Sequence, residues 1–509
     1  IQPYPTESEG KKGIYIMIKV FKYLKDKLNT IKDLSGNKEI IRLTYLFSAI
    51  FFALICYVLI VVYRDSASII NNSYNKREEL YAKKTVRGSI LSSNKEVLAY
   101  TDTSDSNESR VYPYGRLFAH VVGYNIKGKA GLESSANFTL LQSNAFILER
   151  INNELNSVKN IGDNIITTLD INTQLAAYEA LSNKTGAVVV MDAETGHILA
   201  MVSKPDFDPN NISDIWDSVV NEKGNTTLLN KATQGLYPPG STFKILTALE
   251  YMKENDDYTD YSFDCPGYFE YKGTKINCYH GIKHGQVDLN VSFSKSCNAS
   301  FANITTKLNE NKFKNTCEEL LFNESIPSPS IIDSRSSFIA KKSYVPINSK
   351  STPDELIQTG IGQGKTEVSP YHMCLISAAI ANEGVLMNPI LVESIENYTG
   401  DIVSSARIRP YKRLLSKEDS DKVKELMRGV ITDGTGTKLK DAYGYTAYGK
   451  TGSAEFSSNK TESHAWFTGF AEGNNGKKIA ISVIIENGGS GGQVAIPVAR
   501  AVFDSYFNR

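Results

Sequence analysis

A single apolar run near the N-terminus constrains what this chain can fold into more than any other feature of its sequence. Residues 43–63 read LTYLFSAIFFALICYVLIVVY and carry no charge. A helix of about 20 such residues spans the roughly 30 Å hydrocarbon core of a bilayer. A buried core helix is the alternative, but globular helices of this length usually keep a polar face. We therefore predict one transmembrane helix over residues 43–63.

The charges that flank this run indicate its orientation. Short flanks rich in Lys and Arg stay in the cytoplasm. Residues 1–42 contain Lys11, Lys12, Lys19, Lys22, Lys25, Lys27, Lys32, Lys38 and Arg42. A cleaved signal peptide is disfavoured, because the apolar run is longer than a signal h-region and no small-residue cleavage site follows it directly. We predict a single-pass protein of the cell membrane with a cytoplasmic N-terminus and an extracellular remainder.

Length and composition exclude several classes of protein. A chain of 509 residues has room for two or three domains. Its 56 Lys plus Arg balance 56 Asp plus Glu, so no overall field exists to hold nucleic acid. Hydrophobic residues make up 41%, which is ordinary for a folded protein, and six Cys in so long a chain do not make a disulfide scaffold. The extracellular part is therefore expected to be globular and large enough for an enzyme.

The extracellular part divides by its patterning. Residues 64–164 alternate short apolar runs with Gly, Pro and Asn turn signals, which is typical of a small, loop-rich α+β module. From residue 165 a strand runs into an amphipathic helix, and the hairpin GAVVVMDAETGHILAMVS follows. The last strands are predicted in AWFTGFAE and IAISVIIE, before a helix from about Val494 to Tyr506. A cytoplasmic segment, an anchor, a module and a large α/β domain are thus expected over residues 1–42, 43–63, 64–164 and 165–509.

The run YPPGSTFKILTALEYM places a serine, Ser241, at the start of a helical pattern. There its backbone N–H lies in the half-positive field of a helix N-terminus. Lys244 follows three residues later on the same helical face, where an amine partly removed from water can be neutral and accept the Ser proton. Alone, this S-x-x-K pattern is weak, since an N-cap Ser before an exposed Lys is common.

Two further motifs complete the pattern. Ser296 and Asn298 lie in FSKSCNASFAN, at the opening of a predicted helix. The third stretch, YGKTGSAEF, carries Lys450, Thr451 and Gly452 in a predicted edge strand. In the order S-x-x-K, S-x-N and K-T-G, the three motifs match the active-site set of penicillin-recognising serine enzymes. They predict one site built from three distant stretches of the chain.

With these motifs the chain resembles the class B penicillin-binding proteins, which are monofunctional D,D-transpeptidases. TVRGSILSSNKEVLA is similar to the start of the family's pedestal module, although Ser92 and Lys95 stand where the family usually has Asp and Gly. The stretches GLE, GIGQG and HAWFTGF are similar to further family motifs. The resemblance implies a pedestal, a dimerisation-type domain, over residues 64–164. Over residues 165–509 it implies a transpeptidase domain, an antiparallel sheet flanked by helices as in serine β-lactamases.

The resemblance also implies the steps of an acyl transfer. Ser241 would attack the penultimate D-Ala carbonyl of a peptidoglycan stem peptide, and Lys244 is the expected base. Ser296 would relay the proton toward the leaving D-Ala. Asn298 has both an amide donor and an acceptor, which suits it to hold the substrate backbone and the Lys amine.

The K-T-G strand is expected to recognise the donor peptide. Lys450 would supply a fixed positive charge near the terminal carboxylate, and the Thr451 hydroxyl would bond the same group. Gly452 completes the motif, and the backbone N–H groups of Ser241 and Ser453 would form the oxyanion hole. β-Lactam antibiotics would mimic the donor, acylate Ser241 and stay attached. No cofactor is required for this chemistry.

Three other functions remain as alternatives. A D,D-carboxypeptidase uses the same acyl-enzyme with water as acceptor, and a serine β-lactamase shares the three motifs but is usually smaller and soluble. A non-catalytic scaffold of a wall-synthesis complex is the third. The resemblance further implies a partner in the membrane, a glycan polymerase of the SEDS family, contacted through the anchor helix and pedestal.

The segment FDCPGYFEYKGTKINCYHGIKHGQVDL offers ligands for a metal ion just ahead of Ser296. Two thiolates and an imidazole, from Cys265, Cys278 and His284, are plausible zinc ligands, with Asp264 or His280 as the fourth. Two reduced buried thiols are an equal alternative, and a Cys265–Cys278 disulfide is a further one in an exported protein. A zinc ion here would be structural, because nothing reserves an open position for substrate.

The remaining Cys and His residues are expected to be structural. Cys56 falls in the transmembrane run, and small buried thiols are the default in helical patterns. The other residues treated in this way are Cys297, Cys317, Cys374, His120, His197, His372 and His464.

Overall fold

The structure is a computed structural model of the chain. It describes residues 22, 38–64, 77–104, 108–330, 338–348, 350–455 and 463–508. The chain forms two compact units, Ile1–Ile70 and Asn71–Arg509. Most of the predicted cytoplasmic segment, with Lys11, Lys12, Lys19, Lys25, Lys27 and Lys32, and the polar stretch at residues 65–76 lie outside the described residues.

The first unit contains one long apolar helix, α1 (Lys38–Arg64). Within it, Glu39–Val61 has a mean hydropathy of 2.4 and is not buried in the structure. Among the described residues it is the one helix long and apolar enough to cross a bilayer. Helix α1, Lys38–Arg64, contains the predicted run 43–63 and fits a single-pass membrane anchor.

The second unit opens with short elements separated by turns. They are α2 (Arg77–Lys84), β1 (Thr85–Val86), β2 (Ile90–Leu91), β3 (Val97–Asp102), β4 (Ser109–Val111), α3 (Ala119–Val122), α4 (Gly131–Ser135), α5 (Asn137–Leu141), α6 (Ile147–Leu155), β5 (Asn160–Ile161) and β6 (Asn164–Thr167). This part of the chain has the short, loop-rich α+β character that its turn signals predict.

The larger set of elements follows. They are α7 (Ile171–Leu181), β7 (Gly186–Asp192), β8 (Ile198–Lys204), α8 (Ile212–Asn221), α9 (Lys231–Gln234), α10 (Lys244–Glu254), β9 (Phe263–Cys265), β10 (Tyr268–Tyr271), β11 (Thr274–Asn277), β12 (Gly285–Val287), α11 (Leu289–Ser294), α12 (Asn298–Thr305), α13 (Glu310–Glu319), α14 (Pro353–Gly360), α15 (Pro370–Ala381), β13 (Val385–Met387), β14 (Val392–Glu396), β15 (Ile402–Ser405), β16 (Pro410–Arg413), α16 (Lys417–Thr432), β17 (Tyr445–Glu455), β18 (Ser463–Gly473), β19 (Lys478–Ile485) and α17 (Gly491–Phe507). Several helices start at a side chain that accepts a first-turn N–H, as Asp170 does for α7 and Ser369 for α15.

A five-stranded antiparallel sheet forms the centre of this larger part. Its strand order is β17-β18-β19-β7-β8, so the predicted K-T-G strand β17 lies at one edge. β19 and β7 are buried at almost every residue on both faces. Helix α15 packs on one face, and α7 and α17 pack on the other. A strand covered on both sides reads as a continuous apolar run, which explains VVV in β7 and the isoleucines of β19.

A second sheet joins distant parts of the chain. Its order is β15-β14-β6-β2-β3-β4, and β2 and β6 are parallel neighbours. β14 and β15 come from far along the chain; β14 pairs with β6, and β15 pairs with β14. The pedestal sheet is therefore completed by a hairpin from the segment that the patterning places in the large domain.

Beside this sheet, one buried acid holds two arginines. Glu133 accepts from Arg87 at 2.6 Å and from Arg110 at 2.7 Å, and the side chains of all three are almost fully buried. Arg87 also donates to the side chain of Asn137. The two guanidinium groups lower the pKa of Glu133 against the opposing effect of burial. Such a buried cluster is stable only while all its members are present.

The fold class expected from the resemblance is confirmed, with an antiparallel sheet flanked by helices. The predicted hairpin, the strands in AWFTGFAE and IAISVIIE, and the C-terminal helix all form. That helix starts earlier than predicted, at Gly491 rather than near Val494. A Cβ on Gly491 would lie 2.1 Å from the Trp466 carbonyl oxygen, so only glycine lets the helix begin this close to the sheet.

Candidate active site

Ser241 lies on a tight 3₁₀ turn, Gly240–Phe243, which runs directly into α10. Gly240 has φ of +53° and donates its N–H to the Gly362 carbonyl at 2.8 Å. A Cβ on Gly362 would lie 2.0 Å from the Gly240 carbonyl oxygen. The glycine-rich segment predicted from GIGQG therefore supports the turn that presents Ser241.

Lys244, one turn after Ser241, is fully buried. Its Nζ donates to Asn298 Oδ1 at 2.7 Å and to the Ser296 carbonyl at 2.8 Å, and it lies 3.4 Å from Ser296 Oγ. Burial lowers the pKa of Lys244 to about 8. A substantial fraction of this amine is thus neutral near neutral pH, as the chemistry of a base requires.

Ser296 occupies the bend between α11 and α12 in a left-handed backbone conformation, with φ of +58°. This region is costly for a residue with a side chain and is held only by surrounding contacts. The next residue, Cys297, donates its N–H to the Ser292 carbonyl at 2.9 Å, and Lys244 holds the Ser296 carbonyl itself. The bend aims the Ser296 hydroxyl at both site lysines.

Lys450, on β17, is also fully buried. Its Nζ donates to Ser296 Oγ at 2.9 Å and to the Thr451 carbonyl at 3.2 Å. Burial, and then the nearby charge of Lys244, lower its pKa well below the usual value. Burial therefore disfavours the charged form of Lys450, and the positive charge expected on this amine stays a prediction.

The free edge of β17 faces the Ser241 turn. A Cβ added to Gly240 would lie 3.0 Å from the Ser453 carbonyl oxygen. A Cβ added to Gly452 would lie 3.0 Å from the Pro239 carbonyl oxygen. Because the N–H and C=O of one strand residue point to the same side, the Ser453 N–H also points toward this turn. The edge strand and the Ser241 turn thus form two walls of a groove.

The structure brings the three predicted motifs together. Ser296 joins the two lysines, and Asn298 bonds Lys244 as its two-sided amide predicts. One neighbour was not predicted from the sequence. Thr435 Oγ1 is hydrogen-bonded to Thr451 Oγ1. The sequence marks Thr435 only by the run DGTGT before β17, whose two glycines indicate a turn. This run lies outside the three motifs.

A sulfur cluster lies directly behind the S-x-N bend. Cys265, Cys278, Cys297 and His284 each offer one ligand atom, and all four atoms lie within 4.8 Å of one another. The Cys265–Cys278 and Cys278–Cys297 sulfur distances are 3.7 Å, the Cys265–Cys297 distance is 3.4 Å, and Cys265 Sγ lies 3.6 Å from His284 Nδ1. The three thiols are free and buried, and a hydrogen bond from Cys297 lowers the pKa of Cys278.

Cys297 is buried, as expected, and it is in addition the fourth member of this cluster and the N-cap of α12. Asp264 and His280, the predicted fourth ligands, are both exposed and lie outside the cluster. Asp264 sits on the outward face of β9, because side chains of neighbouring strand residues point to opposite faces and Cys265 takes the inner one.

Several other Cys and His residues have the structural surroundings that were expected. His372 is buried and bonds Ser343 Oγ and the Leu320 carbonyl, each at 2.8 Å. His120 bonds the Thr227 carbonyl at 2.8 Å. Cys317 and Cys374 are buried in helices, where burial raises the pKa of each thiol.

Family models match both parts of the chain that follow α1. The penicillin binding protein transpeptidase domain matches residues 186–504, which is more than half of the chain. The penicillin binding protein A dimerisation domain matches residues 87–165. The chain is also 29% identical over 457 residues to the peptidoglycan D,D-transpeptidase PbpA of Mycolicibacterium smegmatis, covering 84% of this chain and 90% of that one.

Solved structures give the same result. The D,D-transpeptidase domain of a peptidoglycan glycosyltransferase from Eggerthella lenta superposes with a TM-score of 0.73 at 28% identity, covering 84% of this chain and 99% of that chain. The imipenem acyl-enzyme complex of penicillin-binding protein A from M. tuberculosis superposes with a TM-score of 0.74 at 27% identity, covering 83% and 99%.

Fold and site together define an enzyme of the active-site-serine class, with a buried lysine beside the serine turn. The chain belongs to the penicillin-binding protein transpeptidase family.

Proposed function

We propose that this chain is a peptidoglycan D,D-transpeptidase that cross-links stem peptides through an acyl-enzyme on Ser241. The observation that carries the proposal is the convergence of Lys244, Asn298 and Lys450 on Ser296, beside the turn that holds Ser241. Membership of the transpeptidase family and similarity to named D,D-transpeptidases support the reaction class. Peptidoglycan stem peptides and β-lactams are the ligands.

In the acylation step, Ser241 Oγ forms a bond to the carbonyl carbon of the penultimate D-Ala, and its proton passes to Lys244. The C–N bond to the terminal D-Ala then breaks. Ser296 Oγ, within reach of both lysine amines, passes its proton to the leaving amine and takes the proton that Lys244 accepted, so Lys244 is neutral again when D-Ala leaves. In the second step an acceptor amine attacks the acyl-enzyme, and its proton returns through Lys244 to Ser241 Oγ.

The groove walls fit the charges that develop in this reaction. The N–H groups of Ser241 and Ser453 are the proposed oxyanion hole, where one donor is typically worth about 3 kcal/mol. The carboxylate of the donor D-Ala would approach Lys450 and Thr451. A negative charge next to a buried amine raises the pKa of that amine, so bound substrate would favour the positive charge on Lys450.

The test is product analysis with purified full-length chain and a pentapeptide-bearing substrate. Wild type is expected to release D-Ala and to form cross-linked product, whereas Ser241→Ala forms neither and no longer binds fluorescent penicillin. Release of D-Ala without cross-links would indicate a carboxypeptidase. Steady turnover of penicillin would indicate a β-lactamase, and the absence of any acyl-enzyme would indicate a scaffold.

We further propose that α1 places the N-terminus in the cytoplasm and the enzyme outside. The basic residues before α1 support this orientation by the positive-inside rule. Protease added to intact spheroplasts is expected to remove the part after the anchor and to spare a tag at the N-terminus. The opposite pattern would reverse the orientation.

A glycan polymerase of the SEDS family is the proposed membrane partner, contacted through α1 and the pedestal. This partner rests on the resemblance. Full-length chain purified in detergent is expected to retain the polymerase, and a chain whose α1 is replaced by an unrelated transmembrane helix to lose most of it. Recovery of the polymerase with neither chain, or equal recovery with both chains, would contradict this partner.

The sulfur cluster is the proposed site of a structural zinc ion. Tetrahedral zinc with Zn–S bonds of about 2.3 Å requires sulfur–sulfur distances of about 3.8 Å. The three sulfur–sulfur distances of 3.4–3.7 Å and the sulfur–nitrogen distance of 3.6 Å are close to this geometry. The set Cys265, Cys278, His284 and Cys297 is a Cys₃His site, a common zinc ligand set that leaves no open position for substrate.

Such a zinc ion would brace the active site. Cys297 lies between Ser296 and Asn298, and Asn298 Nδ2 donates to the carbonyl of Asn277, the residue before Cys278, at 3.1 Å. The cluster therefore holds the middle residue of the S-x-N motif, and the segment that carries Cys278 holds the Asn298 side chain. The metal would supply rigidity, and the acyl transfer would still be performed by the motif side chains.

Elemental analysis of purified chain tests the zinc proposal. Wild type and the control Cys317→Ser, which changes a buried thiol outside the cluster, are expected to hold about one zinc per chain. Cys265→Ser is expected to lose it and to melt at a lower temperature. Wild type without zinc would contradict the proposal, and thiols that react only after reduction would instead favour the Cys265–Cys278 disulfide.

A further inference from the structure

The two prolines directly ahead of the Ser241 turn are held through their carbonyls. Pro238 and Pro239 have no backbone N–H, so the carbonyl is the one backbone group that each can offer to a hydrogen bond. Trp466 Nε1 donates to the Pro238 carbonyl at 2.9 Å, and the Thr242 hydroxyl donates to the Pro239 carbonyl at 2.8 Å. Trp466 lies on β18, the strand that pairs with the K-T-G strand β17. The chain that enters the turn is therefore tied to the central sheet.

The side chain of Tyr237 extends this attachment by one residue. Its buried ring meets those of His464 and Trp466 edge to face, with ring centroids 5.5 Å and 6.2 Å apart. Tyr237 Oη donates to Glu486 Oε1 at 2.7 Å. Burial, and then the charge of Glu486, raise the pKa of Tyr237, so the hydroxyl keeps its proton and remains the donor.

Glu486, the residue after β19, is itself fixed in place. Lys231 Nζ donates to the same oxygen, Oε1, at 2.6 Å, and the side chain of this lysine is almost fully buried. The Glu486 N–H donates to the Thr185 carbonyl at 2.8 Å. A carboxylate bonded to a buried cation and held by its own backbone is a strong and rigid acceptor. Its bond to Tyr237 therefore locates the residue four positions ahead of Ser241.

We propose that Tyr237 and Glu486 are positioning residues, whose hydrogen bond sets where the turn holds Ser241 Oγ relative to Lys244 Nζ and the oxyanion hole. This inference rests on the proposed acyl-enzyme on Ser241. Both side chains act through the backbone that leads into the turn, and neither transfers a proton. A misplacement of about 1 Å at a reacting atom can cost about a hundredfold in rate. Loss of this bond is therefore expected to slow acylation and to leave ligand binding nearly unchanged.

Tyr237→Phe tests the proposal, because it removes the hydroxyl and keeps the ring. Stopped-flow measurement with a fluorescent penicillin separates the dissociation constant of the non-covalent complex from the rate constant of acylation. The rate constant is expected to fall at least about tenfold, and the dissociation constant to change by less than about twofold. Glu486 stays paired with Lys231 in this variant, so the melting temperature is expected to fall only slightly.

Tyr445→Phe is the matched control. Tyr445 is also buried, and its Oη donates to the carboxylate of Asp504 at 2.8 Å. It lies eight residues before Ser453 on β17, about 26 Å along the strand. Tyr445→Phe is expected to lose as much stability as Tyr237→Phe and to acylate like wild type.

Glu486→Gln separates positioning from stability in the opposite direction. It keeps an oxygen for the Tyr237 hydroxyl but leaves the buried charge of Lys231 without a counter-charge. The melting temperature is expected to fall further than in Tyr237→Phe, while acylation stays within about threefold of wild type. A purely structural role predicts instead that the acylation rate follows the melting temperature across the three variants.

That correlation, a wild-type rate in Tyr237→Phe, or an equal loss of rate in Tyr445→Phe would overturn the inference. Failure of the proposed function is visible separately in wild type. Wild type without a penicillin adduct on Ser241 would overturn both, whereas wild type with this adduct and an unaffected Tyr237→Phe would overturn the positioning role alone.

Discussion

A single amide-to-acid change at Asn298 tests whether neutral Lys244 is the base. Burial lowers the pKa of Lys244 to about 8. At about pH 7.5 roughly a quarter of such an amine is neutral, against about 0.1% for an ordinary lysine. The lowered pKa therefore increases the neutral fraction of the Lys244 amine more than about a hundredfold. This factor corresponds to a free-energy difference of about 3 kcal/mol between the two protonation states.

Asn298→Asp keeps the shape of the side chain and places a carboxylate where Oδ1 now accepts from Lys244 Nζ at 2.7 Å. A charge at this distance raises the pKa of a buried amine by about 1–3 units. Acylation near neutral pH is then expected to fall about 10- to 1,000-fold, because each unit removes nine-tenths of the neutral amine. The loss is expected to be recovered as the pH rises.

The assay is the rate constant for acylation by a fluorescent penicillin, measured from about pH 5.5 to 10. Wild type should rise about tenfold per pH unit and level off above about pH 8, because only the neutral amine accepts the Ser241 proton. Asn298→Asp should keep this shape with its midpoint moved to higher pH. The control Asn311→Asp, exposed on α13, should match wild type. If Asn298→Asp lowers the rate equally at every pH with an unchanged midpoint, the amide binds substrate only and Lys244 is not the base.

Three further variants test separate parts of the account. Glu133→Ala leaves two buried arginines unpaired and should lower the free energy of unfolding in urea by about 3–5 kcal/mol; a loss below about 1 kcal/mol would contradict this. Gly362→Ala should reduce acylation at least about a hundredfold, since its Cβ would collide with Gly240, whereas Gly476→Ala, with nothing within 4 Å of its Cβ, should acylate normally. Burial raises the pKa of Glu250, so the stability that its protonated form contributes is lost as the pH rises above about 4.5. Glu250→Gln should therefore raise the melting temperature at about pH 8 and not at about pH 4.5. Equal shifts of the melting temperature at the two pH values would contradict this prediction.

Local patterning predicts the elements whose surroundings are simple. The hairpin of β7 and β8 follows from continuous apolar runs around a turn at Asp192–Gly196, because both strands are covered by helices on both faces. The site motifs are equally visible in the sequence. Each has its own local structure, a turn, a bend or an edge strand, and the order of the three identifies the class.

The features that the sequence does not predict depend on long-range packing. The sequence predicts Cys297 as a small buried thiol in a helical pattern, and only the fold brings it to Cys265 and Cys278. The sequence predicts Lys450 as a cation on an edge strand, and its burial against Ser296 depends on a bend far away in the chain. The pairing of β14 with β6 likewise leaves no local pattern, because either partner has the periodicity of an ordinary strand.

Locating the penicillin adduct within the chain tests the central claim most directly. After reaction with penicillin G and digestion with trypsin, mass spectrometry should find the added mass on the peptide that ends at Lys244 and contains Ser241. Fragment ions should place it on the Ser241 hydroxyl, and folded Ser241→Ala should carry none. An adduct on Ser296, or one that persists in Ser241→Ala, would contradict the assignment of the nucleophile and with it the roles of the surrounding lysines.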